Sequence, residues 1–134
     1  VTGVQTCALP IYEYWEKPMP KEKEFMSHVL DEVFGQWMND TSKTKKNADF
    51  VINSFGAAFG QYLVDNYDMK WIIVKDDYGT DYAVIHKKWN IIAYPPSSVR
   101  KGIEQGKQNF FSSIELMIKQ QIKDGDKGDI EETK

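Results

Sequence analysis

Chemistry has few starting points in this chain: two histidines, His28 and His86, one arginine, Arg100, one cysteine, Cys7, and a group of carboxylates at Asp76, Asp77 and Asp81. An imidazole acts as acid or base only with a partner within hydrogen-bond reach. His86, at the end of a predicted strand beside the Asp81 turn, is the better placed of the two; His28 sits near Phe25 on a helical stripe and reads as packing or surface. Three carboxylates on one turn would suit a hard cation such as calcium. Asp and Gly at a hairpin are also what the turn's own backbone demands, and that reading is preferred, so no metal site is assigned. Asp124-Gly-Asp-Lys-Gly-Asp129 has glycine and aspartate exchanged relative to a calcium loop. Arg100 and Lys101 follow Ser97-Ser98, a predicted helix start, and could receive an anion or a partner's carboxylate. As the only arginine, Arg100 alone offers a planar two-pronged contact; its competing role is a surface pair with Glu104. Trp37, Trp71 and Trp89 read as core, although an exposed Trp89, in a strand connection, would suit an interface anchor. The binding candidates are therefore His86, Trp89, Arg100 and Lys101. Phosphate-cradling loops, a nucleophile elbow, clustered metal ligands and a dinucleotide fingerprint are all missing from the sequence, so no catalytic residue and no cofactor is assigned.

The opening stretch Val1 to Ile11, VTGVQTCALPI, is uncharged and reverse-translates into a common short-read sequencing adapter. It is set aside as an artefact, which removes Cys7 from consideration and implies a gene continuing upstream of Tyr12. The compartment is left open, with the cytoplasm favoured. Seventeen basic against 20 acidic residues give a net charge of −3, a poor match to a phosphate backbone, so nucleic acid is not expected as a partner. No apolar run reaches the roughly 18 to 20 residues that span a bilayer. The roughly 120 remaining residues suit one domain, expected over 12–123, with an acidic tail at 124–134 that has one apolar residue in eleven and is expected to be disordered.

Those residues must be positioned by regular elements. Phe25, Met26, Val29, Leu30, Val33, Phe34, Trp37 and Met38 form a helical stripe over 21–38, with Pro20 in its first turn. A second helix over 48–66 carries Val51, Ile52, Phe55, Phe59, Tyr62 and Leu63, with Asn47 or Asp49 at its start. Its Gly56 and Gly60 each cost about 1 kcal/mol against alanine, so close approach of another backbone should offset them. Strands are predicted over 70–75, 82–86 and 90–94, the first two joined by a turn and the last stopped by Pro95-Pro96. A short helix over 99–105 follows an N-cap at Ser97-Ser98 and stops at Gly106, with Gly102 weakening it; a last helix runs over 109–123. The order helix, helix, three strands, helix, helix predicts an α+β fold: an antiparallel meander with helices packed on one face.

The stretch FGAAFGQYLVDNYDMKWIIVKDDYGTDYAVIH, followed by YPPSSVRKGIEQGK, resembles the bacterial domains of unknown function numbered 3806. The likeness rests on a Gly-containing helix, a Trp-led strand, an Asp-x-x-Gly turn, a Pro-terminated strand and a basic-then-acidic helix ending in Gly. It runs over about Ala48 to Ile122, and Gly102 departs from it. It implies a bacterial source and a compact α+β domain, and brings no activity or catalytic residues. The reading favoured is a non-catalytic protein-interaction or regulatory module, toxin neutralisation included, with another protein or a second copy of the chain as partner. The alternative is a small ligand-binding domain or enzyme using His86 with the acidic turn.

Overall fold

Apolar residues at Val29, Leu30, Val33, Phe34 and Trp37 fall on one side of a 3.6-residue helix, and all five are buried in α1, Met26–Asn39. The computed structural model of the chain describes residues 26–132. The adapter-like segment, Pro20 and the first predicted turn of this helix lie outside the described residues. Asp40 ends α1 by accepting from the Ser42 N–H at 2.8 Å. The lysine run of the following loop does more than face solvent: the Lys45 ammonium lies 4.6 Å from the Trp37 ring centroid, and the Trp37 indole N–H donates to the Lys46 carbonyl at 2.7 Å.

Helix α2, Ala48–Asn66, starts where Asn47 accepts from the Phe50 N–H at 2.8 Å, the expected cap. The backbone then turns through Asp68, at φ 55°, into a hairpin. Strands β1, Met69–Asp76, and β2, Gly79–His86, pair antiparallel from Met69↔His86 to Asp76↔Gly79. The turn's acids serve its backbone, since Asp76 accepts from the Tyr78 N–H at 2.8 Å.

Strand β3 is only Ile92–Ala93, paired with Ile85 and Val84, and the sheet order is β1-β2-β3. The predicted strand over 90–94 is shortened by a turn that consumes its first residues. The Ile91 N–H bonds back to the Trp89 carbonyl at 2.8 Å, and the His86 N–H reaches the Ile91 carbonyl at 2.9 Å.

Helix α3, Pro95–Gln105, opens on the two prolines, with Tyr94 in the cap position and no side-chain cap bond. The Ser97-Ser98 cap is thus corrected: proline lacks the N–H that a first helical turn leaves unpaired, so the pair that ends the strand also begins the helix. Ser97 instead donates to Asp81 at 2.6 Å. Gly106, at φ 65°, closes the helix as expected. Gly102 does not break it, because its bare face receives the Phe110 ring; an added Cβ would lie 2.4 Å from that ring.

Helix α4, Phe110–Glu132, begins after Asn109 at φ 62°. Its cap comes from α1: the buried Asp31 carboxylate accepts from the Phe111 N–H at 2.9 Å and the Ser112 N–H at 3.2 Å, and from the Ser112 hydroxyl. The helix runs past Lys123, the end expected from sequence, to Glu132. The Trp89 indole N–H donates to Asp126 at 3.0 Å, and its ring covers Gly125 so closely that a Cβ there would lie 2.7 Å away. A low apolar count predicted no core for this segment to join; one tryptophan from the strand connection supplies the contact.

The fold is α+β: the described residues form four helices and a three-stranded antiparallel meander. Its core joins α1, α2 and α4 to Met69 and Val84 of the sheet. Phe34 is central to it, with Phe55, Phe110 and Phe111 at centroid distances of 5.7, 5.1 and 5.9 Å, each edge-on.

Candidate functional site

Gly56 and Gly60 are where the site begins. A Cβ on Gly56 would lie 2.9 Å from Pro96 Cα, and one on Gly60 would lie 2.1 Å from Trp71 Cη2. The glycines therefore let the first turn of α3 and the Trp71 ring lie directly on α2, the close approach their helix cost called for. Trp71 is fixed there by its indole N–H, which donates to Gln61 at 3.1 Å.

Between these elements lies an apolar cleft of about 670 Å³, lined by Asn53 and Ala57 of α2, Trp71, Ile72 and Ile73 of β1, Tyr82 of β2 and Pro96 of α3. Trp71 and Ile73 share a face, and Tyr82 stands directly across from Ile73. Ile73 and Tyr82 are more than half exposed, at 58% and 55%. Ile72 projects to the other face, and one edge of β1 is closed by β2. No described strand pairs with the other edge of β1. At the hairpin's tip Tyr78 is almost wholly exposed.

Of the residues singled out from sequence, Arg100 and Lys101 are exposed on α3. Arg100 is one turn beyond Pro96 and therefore on the helix side that borders the cleft. Arg100 and Glu104 form no ion pair with each other, whereas Lys87 pairs with Asp68 at 3.5 Å. Trp89 is half-buried against α4, held by Asp126, so it is a clasp and not a free anchor. His86 is buried, and its Nδ1 accepts from the backbone N–H groups of Lys88 and Trp89 at 3.1 and 3.0 Å. That bond shapes the turn after β2.

His86 and the acids of the turn are not brought together. Five residues of strand put His86 about 16 Å from Asp81, and the odd spacing sends the two side chains to opposite faces of the sheet. Asp81 is in turn engaged by Ser97. The pairing expected for acid–base work is thereby corrected. Among the described residues no three His, Cys, Asp or Glu side chains gather as they would to hold a metal.

A second polar cluster was missed in the sequence. Glu115 of α4 is 5% exposed and accepts hydroxyl hydrogen bonds from Tyr62 at 2.6 Å, from Tyr67 and from Ser27. Burial, then the adjoining Glu115 carboxylate, pushes the Tyr67 hydroxyl well above the ordinary tyrosine range. No buried side-chain polar atom among the described residues lacks a hydrogen-bond partner, so the cluster is internally satisfied and ties α1, α2 and α4 together. Its members sit at unremarkable sequence positions, and only their convergence from three helices marks them. The cleft residues left one trace: the run Trp-Ile-Ile-Val is apolar at consecutive positions, which an edge strand with one solvated face would not require.

What these features define is a small α+β domain that presents an apolar cleft beside a strand edge with which no described strand pairs. The chain belongs to the family described as Domain of unknown function (DUF3806), whose model matches residues 33–113, more than half of the 134. The match takes in the second half of α1, which the sequence resemblance left out, because Val33, Phe34 and Trp37 are part of the core. No curated protein and no solved structure matches the chain. No helix among the described residues is long and apolar enough to cross a membrane.

Proposed function

We propose that this domain is a non-catalytic protein-interaction module that receives an extended segment of a partner along the open edge of β1. The observation that carries the reading is the apolar cleft beside an edge of β1 with which no described strand pairs. An added strand would bond to the backbone groups of the edge that no described strand pairs. Alternate side chains of the segment would then enter the apolar space between Trp71, Ile73, Tyr82 and Pro96. The β1–β2 hairpin also carries Ile73, Tyr78 and Tyr82, three large apolar side chains left largely exposed, the residue types from which interface anchors are drawn. A regulatory role, toxin neutralisation included, would follow from the identity of the partner.

The small-ligand reading keeps one supporting observation, a cleft volume within the few-hundred Å³ range of ligand sites. It no longer has His86 to support it.

The test is selection of a random twelve-residue peptide library on the immobilised full chain, followed by hydrogen exchange with a selected peptide. Binding is expected to slow amide exchange in β1 and to be lost in Ile73→Glu, whose substituted side chain is already exposed and should leave the fold intact by circular dichroism. Peptides that bind Ile73→Glu unchanged, or that protect only amides distant from β1, would refute the proposal.

A further inference from the structure

The charge around the cleft says more about its occupant than the cleft walls do. The chain as a whole is acidic, at −3. The borders of the cleft nevertheless carry exposed cations on two elements. Lys75 continues the Trp71, Ile73 row of β1, and Arg100, with Lys101 next to it, lies one helical turn beyond Pro96. None of the three forms a side-chain ion pair with another described residue. The acids nearby do not cancel them as a set. Asp81 already accepts from Ser97 and from the Tyr82 N–H, and Asp65 accepts from Gln61 at 2.9 Å. Two exposed acids remain, Asp49, one turn before Asn53 on α2, and Glu104, one turn beyond Arg100 on α3 but not ion-paired with it, while Asp76 and Asp77 belong to the hairpin tip. The polar side-chain groups of the lining are Asn53, the Tyr82 hydroxyl and the Trp71 indole N–H, the last already bonded to Gln61.

Resting on the strand-docking reading above, we infer that the occupant is an extended peptide segment bearing a large apolar side chain flanked by a carboxylate, the apolar group seated among Trp71, Ile73 and Tyr82 and the carboxylate held by Arg100. A guanidinium grips a carboxylate with two parallel hydrogen bonds, which an ammonium does not match. Arg100 therefore sets which end of the segment lies over Pro96, and Lys75 favours acidic over basic flanks. The apolar pocket supplies most of the affinity and the arginine supplies polarity and choice of partner.

The test uses the peptides selected on the full chain, measured by fluorescence anisotropy with a fluorescein label. Asp or Glu is expected at a fixed offset from an aromatic or branched residue, and replacing that acid by its amide should weaken binding about tenfold. Arg100→Gln should cause the same loss and abolish the difference between acid and amide peptides, whereas Lys101→Gln should leave that difference in place. Selected peptides with no acidic bias, bound equally by Arg100→Gln but lost in Ile73→Glu, would overturn the charge inference and leave strand docking standing. Failure of every peptide to bind the folded chain would overturn both. So would a concentration-dependent dimer in sedimentation that Ile73→Glu dissolves, since a second copy would then occupy the cleft.

Discussion

Gly60→Ala sets two effects of known sign against each other. In a helix interior alanine is favoured over glycine by about 1 kcal/mol, so the intrinsic preference of α2 predicts a gain. Against it, the new Cβ would lie 2.1 Å from Trp71 Cη2 and 2.5 Å from Cζ2, with Pro95 Cγ at 3.1 Å. Carbon atoms settle at about 3.5–4.0 Å, so the ring must move by well over an ångström. It cannot slide freely, because its indole N–H is bonded to Gln61. Overpacking of this kind costs about 1–3 kcal/mol, and losing the indole bond about 1 more. From the middle of these ranges the balance is a net loss of about 2 kcal/mol, a fall in Tm of roughly 8 °C for a domain this size. Gly128→Ala is the matched control: it is also helical but meets nothing within 4 Å, and it should leave Tm unchanged or raise it slightly. Thermal unfolding followed by circular dichroism reads both. A Gly60→Ala protein as stable as the parent, or more so, would refute the claim that this glycine exists for the indole.

Asp31→Ala removes three acceptor interactions from the start of α4 and leaves the Phe111 N–H buried. Cap and charge–dipole contributions overlap, so a loss of about 3 kcal/mol in urea unfolding is expected, and a loss below about 1 would show the cap to be incidental. Tyr67 should titrate by ultraviolet absorbance above the ordinary tyrosine value of 10. Because its folded-state value is raised, its contribution to stability is fully present below pH 10 and declines as pH rises beyond it, when the unfolded chain gives up the proton first. Glu115→Gln should bring the Tyr67 titration back toward the ordinary range, and no change would sink that account.

The legible parts of the fold were those carried by a period. Val29 to Trp37 and Val51 to Leu63 repeat at helical spacing, and the buried faces follow. Lys70 to Lys75 and Tyr82 to His86 showed strand composition, and the hairpin extends them by one residue at each end of the first strand and three at the start of the second. Errors arose where one residue serves two elements. Pro95-Pro96 ends a strand and begins a helix, His86 closes β2 and caps the turn after it, and Trp89 fastens the end of α4, a segment whose own composition promised nothing. For the site, Arg100 and Lys101 could be picked out because charge and helix position are local properties. The cleft could not, since it exists only where α2, β1, β2 and α3 meet, and its two glycines signalled a close approach without saying what approaches.

Asp31 also sets the smallest piece of this chain that can fold as a unit. The acceptor on α1 and the Phe111 N–H it serves are 80 residues apart in sequence. While the chain is being made, α1 leaves the ribosome long before the helix start it completes, and α4 cannot be finished by local interactions alone. Cutting the chain to the family match at 33–113 would remove Asp31 and all but the first turn of α4, and with them Glu115, the acceptor that joins three helices. The boundary of recognisable sequence and the boundary of cooperative structure therefore differ, by a few residues at one end and by most of a helix at the other.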